Sequence, residues 1–486
     1  MNLADSIMEY LRNNPFKKGR EVAAALGRTK HEVNSALYGL EGSYFRHDDQ
    51  FRWEVIAVPA ESTLSFIDSK PPLSNNQIAT FHARRELSRL KRGVPPTWSV
   101  EQLAVGMGHL VSRLNLLLEP GASPRWFGVT GEYGEGKSFF RSLACETARR
   151  IGYAVATLDV NKDEGALNHP QRHYSSIVTS LRSCNEKLTH AFGLADLFQT
   201  WIERSSSTEI AKTMELLRRV EPTLPPGQSQ AQFCWITSRL IDLLAESQPD
   251  SPGGGPISQW CRTWLIPFLS GTDLVRKSTY ARFNAGYRLQ LLLKWLEVTG
   301  HKGLLLVIDE LDNVVRQIAG KGHPACFRTL AWYCSSPGLR SLRVIFASTP
   351  EVVDVLDAQG RAWFSRTLSH QQTVLREELK TYERWCREAD ALGSDLWSHC
   401  PKLTRSERLD LFGRIAGIHK IAWGSNHESG SVIADSMSRM PQFTTTRRWV
   451  RASAQLLDLF EQHKELHNGH DRTGVSVLSR TWLHES

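Results

Sequence analysis

At 486 residues, with 41% hydrophobic and 23% charged positions, the chain has a globular composition and length for about two to four domains. Its eight cysteines are scattered without a Cys-x-x-Cys pair, which argues against a zinc site or a disulfide framework and suits a reducing cytosol. The net charge of +8 permits a nucleic-acid partner without requiring one, and no apolar run approaches the roughly 20 residues of a bilayer span, so a soluble cytoplasmic protein without membrane association is expected.

Residues 1–56 read as a module of their own. Leu3, Ile7, Met8 and Leu11 mark an amphipathic helix, and Val22, Ala25 and Leu26 a second that closes at Gly27. Thr29 stands three residues before Glu32, a capping-box spacing that opens a third helix through Val33, Ala36, Leu37 and Leu40. Two β-rich runs, Tyr44–Arg46 and Phe51–Val55, then flank a turn-like His47–Gln50 and predict a hairpin. Three helices and a hairpin predict a winged helix-turn-helix. Its candidate DNA contacts are Lys17, Lys18, Arg20, Arg28, Lys30, His31 and Asn34. Eight Lys/Arg against eight Asp/Glu leave the module neutral, which weakens phosphate attraction, so protein docking stands beside double-stranded DNA binding.

A Pro/Ser-rich linker follows at 57–75, then a basic helix with Arg84, Arg85, Arg89, Lys91 and Arg92 that ends at Gly93-Val94-Pro95-Pro96. That charge run is either a solvated face or a phosphate-backbone contact. Leu103 to Leu118 is a further predicted helix.

The most specific stretch is Gly131-Glu132-Tyr133-Gly134-Glu135-Gly136-Lys137-Ser138, which satisfies G-x-x-x-x-G-K-[ST] between a short apolar run, Trp126–Val129, and a helical run, Phe139–Ile151. Glycines let backbone N–H groups converge on phosphate, the helix N-terminus adds its positive end, Lys137 reaches the phosphates and Ser138 offers a hydroxyl to Mg²⁺. Residues 131–138 and Phe139 are therefore candidate nucleotide ligands. Tyr153–Asp159 predicts a second, buried parallel strand. The following Asn161-Lys162-Asp163-Glu164 has the look of a guanine-recognition motif but ends in Glu and lies too near the phosphate loop for that role.

Residues 185–300 are helical in pattern, broken at 222–227 and 251–256, and carry Trp201, Trp235, Trp260 and Trp264 as core or interface residues. Leu304–Ile308 then delivers Asp309-Glu310, the arrangement of an acidic pair at a strand end that organises Mg²⁺ (Asp309) and activates water (Glu310). Lys137 and Glu310 are the candidate catalytic residues, Ser138 and Asp309 the candidate metal ligands. For the two motifs to act together, the sheet is expected to set their strands side by side. Arg343–Ala347 predicts another strand. At its end Ser348 or Thr349 either senses the γ-phosphate, as in ATPases of the AAA+ type, or caps the strand. Leu409, Phe412, Ile415, Ile418 and His419 mark a helix, and Thr446-Arg447-Arg448 opens another, whose two arginines are candidate nucleotide contacts.

Leu87-x-x-Leu90-x-x-Gly93-Val94-Pro95-Pro96, Val105-Gly106, the phosphate loop, Gly303-Leu304-Leu305, Asp309-Glu310-Leu311, His419 and Thr446-Arg447-Arg448 together resemble the P-loop ATP-binding proteins of BREX-type phage-defence systems, relatives of AAA+ and STAND ATPases. The resemblance covers roughly 80–460. It implies ATP and Mg²⁺ as cofactors, defence-system proteins as partners and an ATPase subunit working beside DNA-modifying or DNA-degrading proteins, with homo-oligomerisation possible. No motif marks an arginine finger; Arg361 and Arg366 are the candidates. The expected fold is α/β: an AAA+-like P-loop NTPase core at 76–375 with a helical insertion at about 185–300, a helical C-terminal lid at 376–486 and the N-terminal winged helix-turn-helix. A non-hydrolysing ATP switch and a replication-initiator-like loader are the alternative functions.

Overall fold

The computed structural model describes residues 3–14, 17–28, 33, 37, 45–47, 52–55, 75–163, 165–184, 193–221, 228–246, 256–271, 281–318, 320–351, 353, 396–424 and 430–462. The chain divides into two compact units, Met1–Ile78 and Ala79–Ser486.

In the first unit, α1 (Leu3–Asn13) and α2 (Gly19–Ala25) accompany three short strands, β1 (Lys17–Lys18), β2 (Phe45–His47) and β3 (Arg52–Val55). The strands form an antiparallel sheet in the order β1-β3-β2, with His47 opposite Trp53 in the expected hairpin. The two-residue β1 has no apolar run to announce it. Ile7, Leu11, Val22, Val33, Leu37 and Trp53 make the small core. Most of the predicted third helix, including Lys30, His31 and Asn34, and all but the last residue of the 57–75 linker lie outside the described residues.

The second unit is built on a five-stranded, all-parallel sheet in the order β5-β6-β7-β4-β8. Its strands are β4 (Trp126–Thr130), β5 (Ala154–Asp159), β6 (Leu304–Asp309), β7 (Leu342–Ser348) and β8 (Trp397–His399). β4, β6 and β7 are buried along their whole length, which is why they read as apolar runs, interrupted in β7 only by the buried Arg343. Alternation sorts their side chains. Leu304, Leu306 and Ile308 join one core and Leu305 and Val307 the other.

The first face is covered by α6 (Pro170–Ser180), α7 (Gly193–Arg204), α8 (Ser207–Arg218), α9 (Gln228–Glu246), α10 (Ala281–Val298) and α11 (His323–Ser335). Trp201 is buried there, whereas Trp235 and Trp264 are exposed. The other face carries α4 (Gly108–Leu118) and α5 (Lys137–Arg150). The helix expected from Leu103 begins only at Gly108, because Gly106 turns the chain at φ 72°.

Two expectations are corrected. The phosphate-loop strand β4 and the acidic strand β6 are not side by side, because β7 pairs with both. A core strand also lies beyond residue 375: β8 pairs with β4, and the Trp397 ring lies over Gly128, where a Cβ would overlap it. A third core joins α3 (Asn75–Lys91) to α12 (Arg405–Trp423), α13 (Gly430–Ser438) and α14 (Thr446–Gln462). Two basic residues of α3, Arg84 and Lys91, serve this junction, and Arg89 fixes the turn that follows the helix. Arg84 donates to the Ala422 carbonyl at 3.0 Å and stacks on Trp423, Arg89 donates to the Pro95 carbonyl, and Lys91 pairs with Asp458. Among the described residues no helix is long and apolar enough to cross a membrane.

Candidate nucleotide site

The carboxyl ends of β4, β6 and β7 open into one cavity of about 650 Å³, closed by the 93–107 segment and the start of α14. This is the edge at which parallel α/β sheets receive ligands. Thr130 leads into the loop, and Gly134 and Gly136 adopt φ 87° and 118°, values open to glycine. Gly136 directly precedes α5, so the loop ends at a helix N-terminus, where unsatisfied N–H groups attract anions. Glu132, Tyr133, Gly134, Gly136, Lys137, Ser138 and Phe139 line the cavity. The Lys137 ammonium donates to the carbonyls of Gly131 (2.5 Å) and Glu132 (3.1 Å), lying along the loop it serves.

Gly131 and Glu135 stand apart from that lining. Gly131 donates its N–H to the Ser348 carbonyl at 3.3 Å, tying the loop to β7. The buried Glu135 carboxylate accepts the Glu132 N–H at 2.6 Å and faces His399 and Lys402, each at 3.4 Å. Its side chain anchors the loop from beneath.

On β6, the buried Asp309 accepts the Glu310 N–H at 2.9 Å through one oxygen, and its other oxygen lies 3.1 Å from Arg141. Arg141 also pairs with Asp159, which the strand register sets opposite Asp309. Burial pushes the Asp309 carboxyl above the usual range, and the Arg141 charge opposes that shift. Glu310 sits at φ 54°, the single non-glycine with positive φ among the described residues, a strain that proteins keep mainly where function needs it. Partial burial raises its pKa, and the charges of Asp309, Asp159 and Asp312 add to the rise. Asn313 donates to Glu310 at 3.0 Å and to the Val160 carbonyl at 2.8 Å, so it fixes the carboxylate to the backbone after β5.

Thr349 lines the cavity, whereas Ser348 is wholly buried. Neither hydroxyl has a hydrogen-bond partner among the described residues. Arg447 lines the cavity, donates its backbone N–H to the Gly134 carbonyl at 3.0 Å and its guanidinium to the Tyr133 hydroxyl at 2.6 Å. Arg448 is exposed and outside the lining: one residue further along the helix, it turns away from the face Arg447 presents. An apolar wall of Leu90, Val94, Val105, Met107, Leu411 and Val450 completes the cavity. His419 is buried in the third core, 3.4 Å from Asp458, and does not reach the cavity lining. Asn161 makes a local turn, accepting from Asp163 and Gly165 N–H groups, which explains its spacing without a base to recognise. Arg361 and Arg366 lie outside the described residues.

Sequence reasoning missed Arg141, Asp159 and Asn313. Arg141 was findable, since it stands four residues after Lys137 on the same helical face. Asp159 ends its strand in the same way as Asp309. The hard-oxygen donors of Ser138 and Asp309 suit Mg²⁺, which takes few protein ligands beside phosphate oxygens. Among the described residues no group of three or more His, Cys, Asp or Glu able to hold a metal occurs.

Residues 78–223 match the family model of the BREX system ATP-binding protein BrxC/D, which bears out the family resemblance over that span. None of the curated proteins matches the chain.

Proposed function

From this kinship with BREX ATP-binding proteins, we propose that the chain is a Mg²⁺-dependent ATPase subunit of a bacterial anti-phage complex. It would couple ATP binding and hydrolysis to DNA-directed or partner-directed work. The observation that carries the reading is the convergence, in one cavity, of the phosphate loop, Asp309-Glu310 and Arg447.

Loop N–H groups and Lys137 bind the phosphates, and the apolar wall takes the base. Ser138 and Asp309 would hold Mg²⁺, which when bound neutralises charge building on the phosphoryl oxygens. Glu310, held by Asn313, accepts the proton of the water that attacks the γ-phosphorus as the bond to the bridging oxygen breaks. Thr349 lines the cavity at the end of β7, where it would sense the γ-phosphate, and Arg447 links the phosphates to the C-terminal helices, giving a lid a means of reporting nucleotide.

For the N-terminal unit, a winged helix-turn-helix role in DNA contact rests on exposed Lys18, Arg20 and Arg28 with half-exposed Lys17. Substituting all four by Gln in the full chain should lower retention on duplex DNA at low salt; equal retention assigns the unit to protein docking. ATPase activity is tested by Glu310→Gln. The variant should keep ATP affinity and lose turnover by about 10²-fold or more. Binding without turnover in both proteins, with DNA and partners present, would favour the non-hydrolysing switch.

A further inference from the structure

Asp309 has one direct ion-pair partner among the described residues, Arg141 of the phosphate-loop helix, while Lys137 adds only a weaker, longer-range charge. Arg141 lies three residues beyond Ser138, lines the nucleotide cavity and is about a quarter exposed (27%). Its guanidinium spans two carboxylates that the parallel register sets opposite each other, Asp159 and Asp309. The two partners differ. Asp309 is 6% exposed, while Asp159 is 57% exposed and faces solvent. The oxygen of Asp309 that Arg141 approaches is also the one not engaged by the Glu310 N–H. Lys137 is directed to the loop carbonyls.

We propose that Arg141 is a resident counter-cation for the metal position, a positioning residue that neutralises Asp309 until a divalent ion takes its place. A buried carboxylate without a counter-charge is costly, and a guanidinium on the adjacent helix offsets that cost. Two cations cannot share one buried oxygen without strong repulsion, so metal entry moves Arg141 off Asp309. Arg141 already pairs with the solvent-facing Asp159, so it can leave Asp309 while keeping that partner, without a large rearrangement. The acidic site thereby resists adventitious divalent ions and opens when metal arrives with nucleotide phosphates. This inference rests on Asp309 being a metal ligand and not on hydrolysis.

The test uses the full chain without nucleotide and Mn²⁺ alone as the probe, with free ion followed by electron paramagnetic resonance. Wild type should bind Mn²⁺ weakly. Arg141→Gln should bind it about tenfold tighter or more, since a like charge leaves the site. Arg141→Lys should resemble wild type, and adding Asp309→Asn to Arg141→Gln should abolish the gain. Affinity of Arg141→Gln no tighter than wild type, or a gain that survives Asp309→Asn, overturns the proposal. Should Arg141→Gln fail to fold alone, Mn²⁺ must restore its melting transition, and no restoration also overturns it. A chain that binds no ATP would sink the nucleotide reading while leaving this measurement interpretable.

Discussion

Glu135 offers a quantitative handle on the phosphate loop, because its side chain touches the loop and not the cavity. Glu135→Ala removes the acceptor of the Glu132 N–H at 2.6 Å. A hydrogen bond to a charged acceptor is worth about 1.5–3 kcal/mol. The accompanying ion pairs add little, since Lys402 is 71% exposed and His399 half-exposed, and exposed pairs contribute about 0–1 kcal/mol. No buried cation is stranded by the change. The loss therefore falls on loop order, near 2 kcal/mol, which weakens ATP binding about 10- to 100-fold if expressed fully in affinity. Glu135→Gln keeps an acceptor and should lose less than about fivefold. Calorimetric titration with ATP and Mg²⁺, beside melting curves that show retained folding, decides the matter. Affinity of Glu135→Ala within twofold of wild type would refute the anchoring role.

Further outcomes follow from the same geometry. Asn313→Ala should retain ATP binding but lower turnover about tenfold or more, as a displaced Glu310 costs rate and not affinity; steady-state kinetics checks this. Gly128→Ala should destabilise the fold by about 1–3 kcal/mol in urea titration, because its Cβ collides with Trp397 and loosens β8. Trp449, wholly buried and donating its indole N–H to the Arg408 carbonyl, should cost about 3–5 kcal/mol when replaced by Ala, read by the same titration. Burial pushes His173 down to about 3, and its Nε2 has no hydrogen-bond partner among the described residues, so the folded state holds it neutral. The unfolded chain protonates it below about pH 6.5, so stability is full above that pH and falls by about 1.4 kcal/mol per unit as pH drops toward 3. His173→Gln should flatten the pH dependence of the melting temperature between pH 6 and 5, and an unchanged slope counts against it.

The sheet was legible where its strands are buried on both faces, since Trp126–Thr130, Leu304–Asp309 and Leu342–Ser348 are apolar runs ending in chemistry-bearing residues. β8 was not, because Trp-Ser-His is a three-residue edge strand whose place depends on a bare glycine 269 positions earlier in the chain, Gly128 opposite Trp397. Strand order also escaped the sequence. An apolar run records burial but not its neighbours, so nothing marked β7 as the strand between the two motifs. At the site, fixed spacing exposed the phosphate loop and the acidic pair. Arg141, Asp159 and Asn313 carry no motif, and their roles arise from register and helical phase. Arg447 and Arg448 are alike as neighbours in sequence, and only helical phase separates cavity from solvent.

The account depends above all on the cavity being an ATP site, and equilibrium ATP binding by wild type and Lys137→Ala tests that most directly. Wild type should bind with Mg²⁺ present, and Lys137→Ala should lose about 100-fold or more, through the lost ammonium and its charge-assisted bonds to phosphate. Equal affinity in the two proteins, or no binding by wild type, would contradict it.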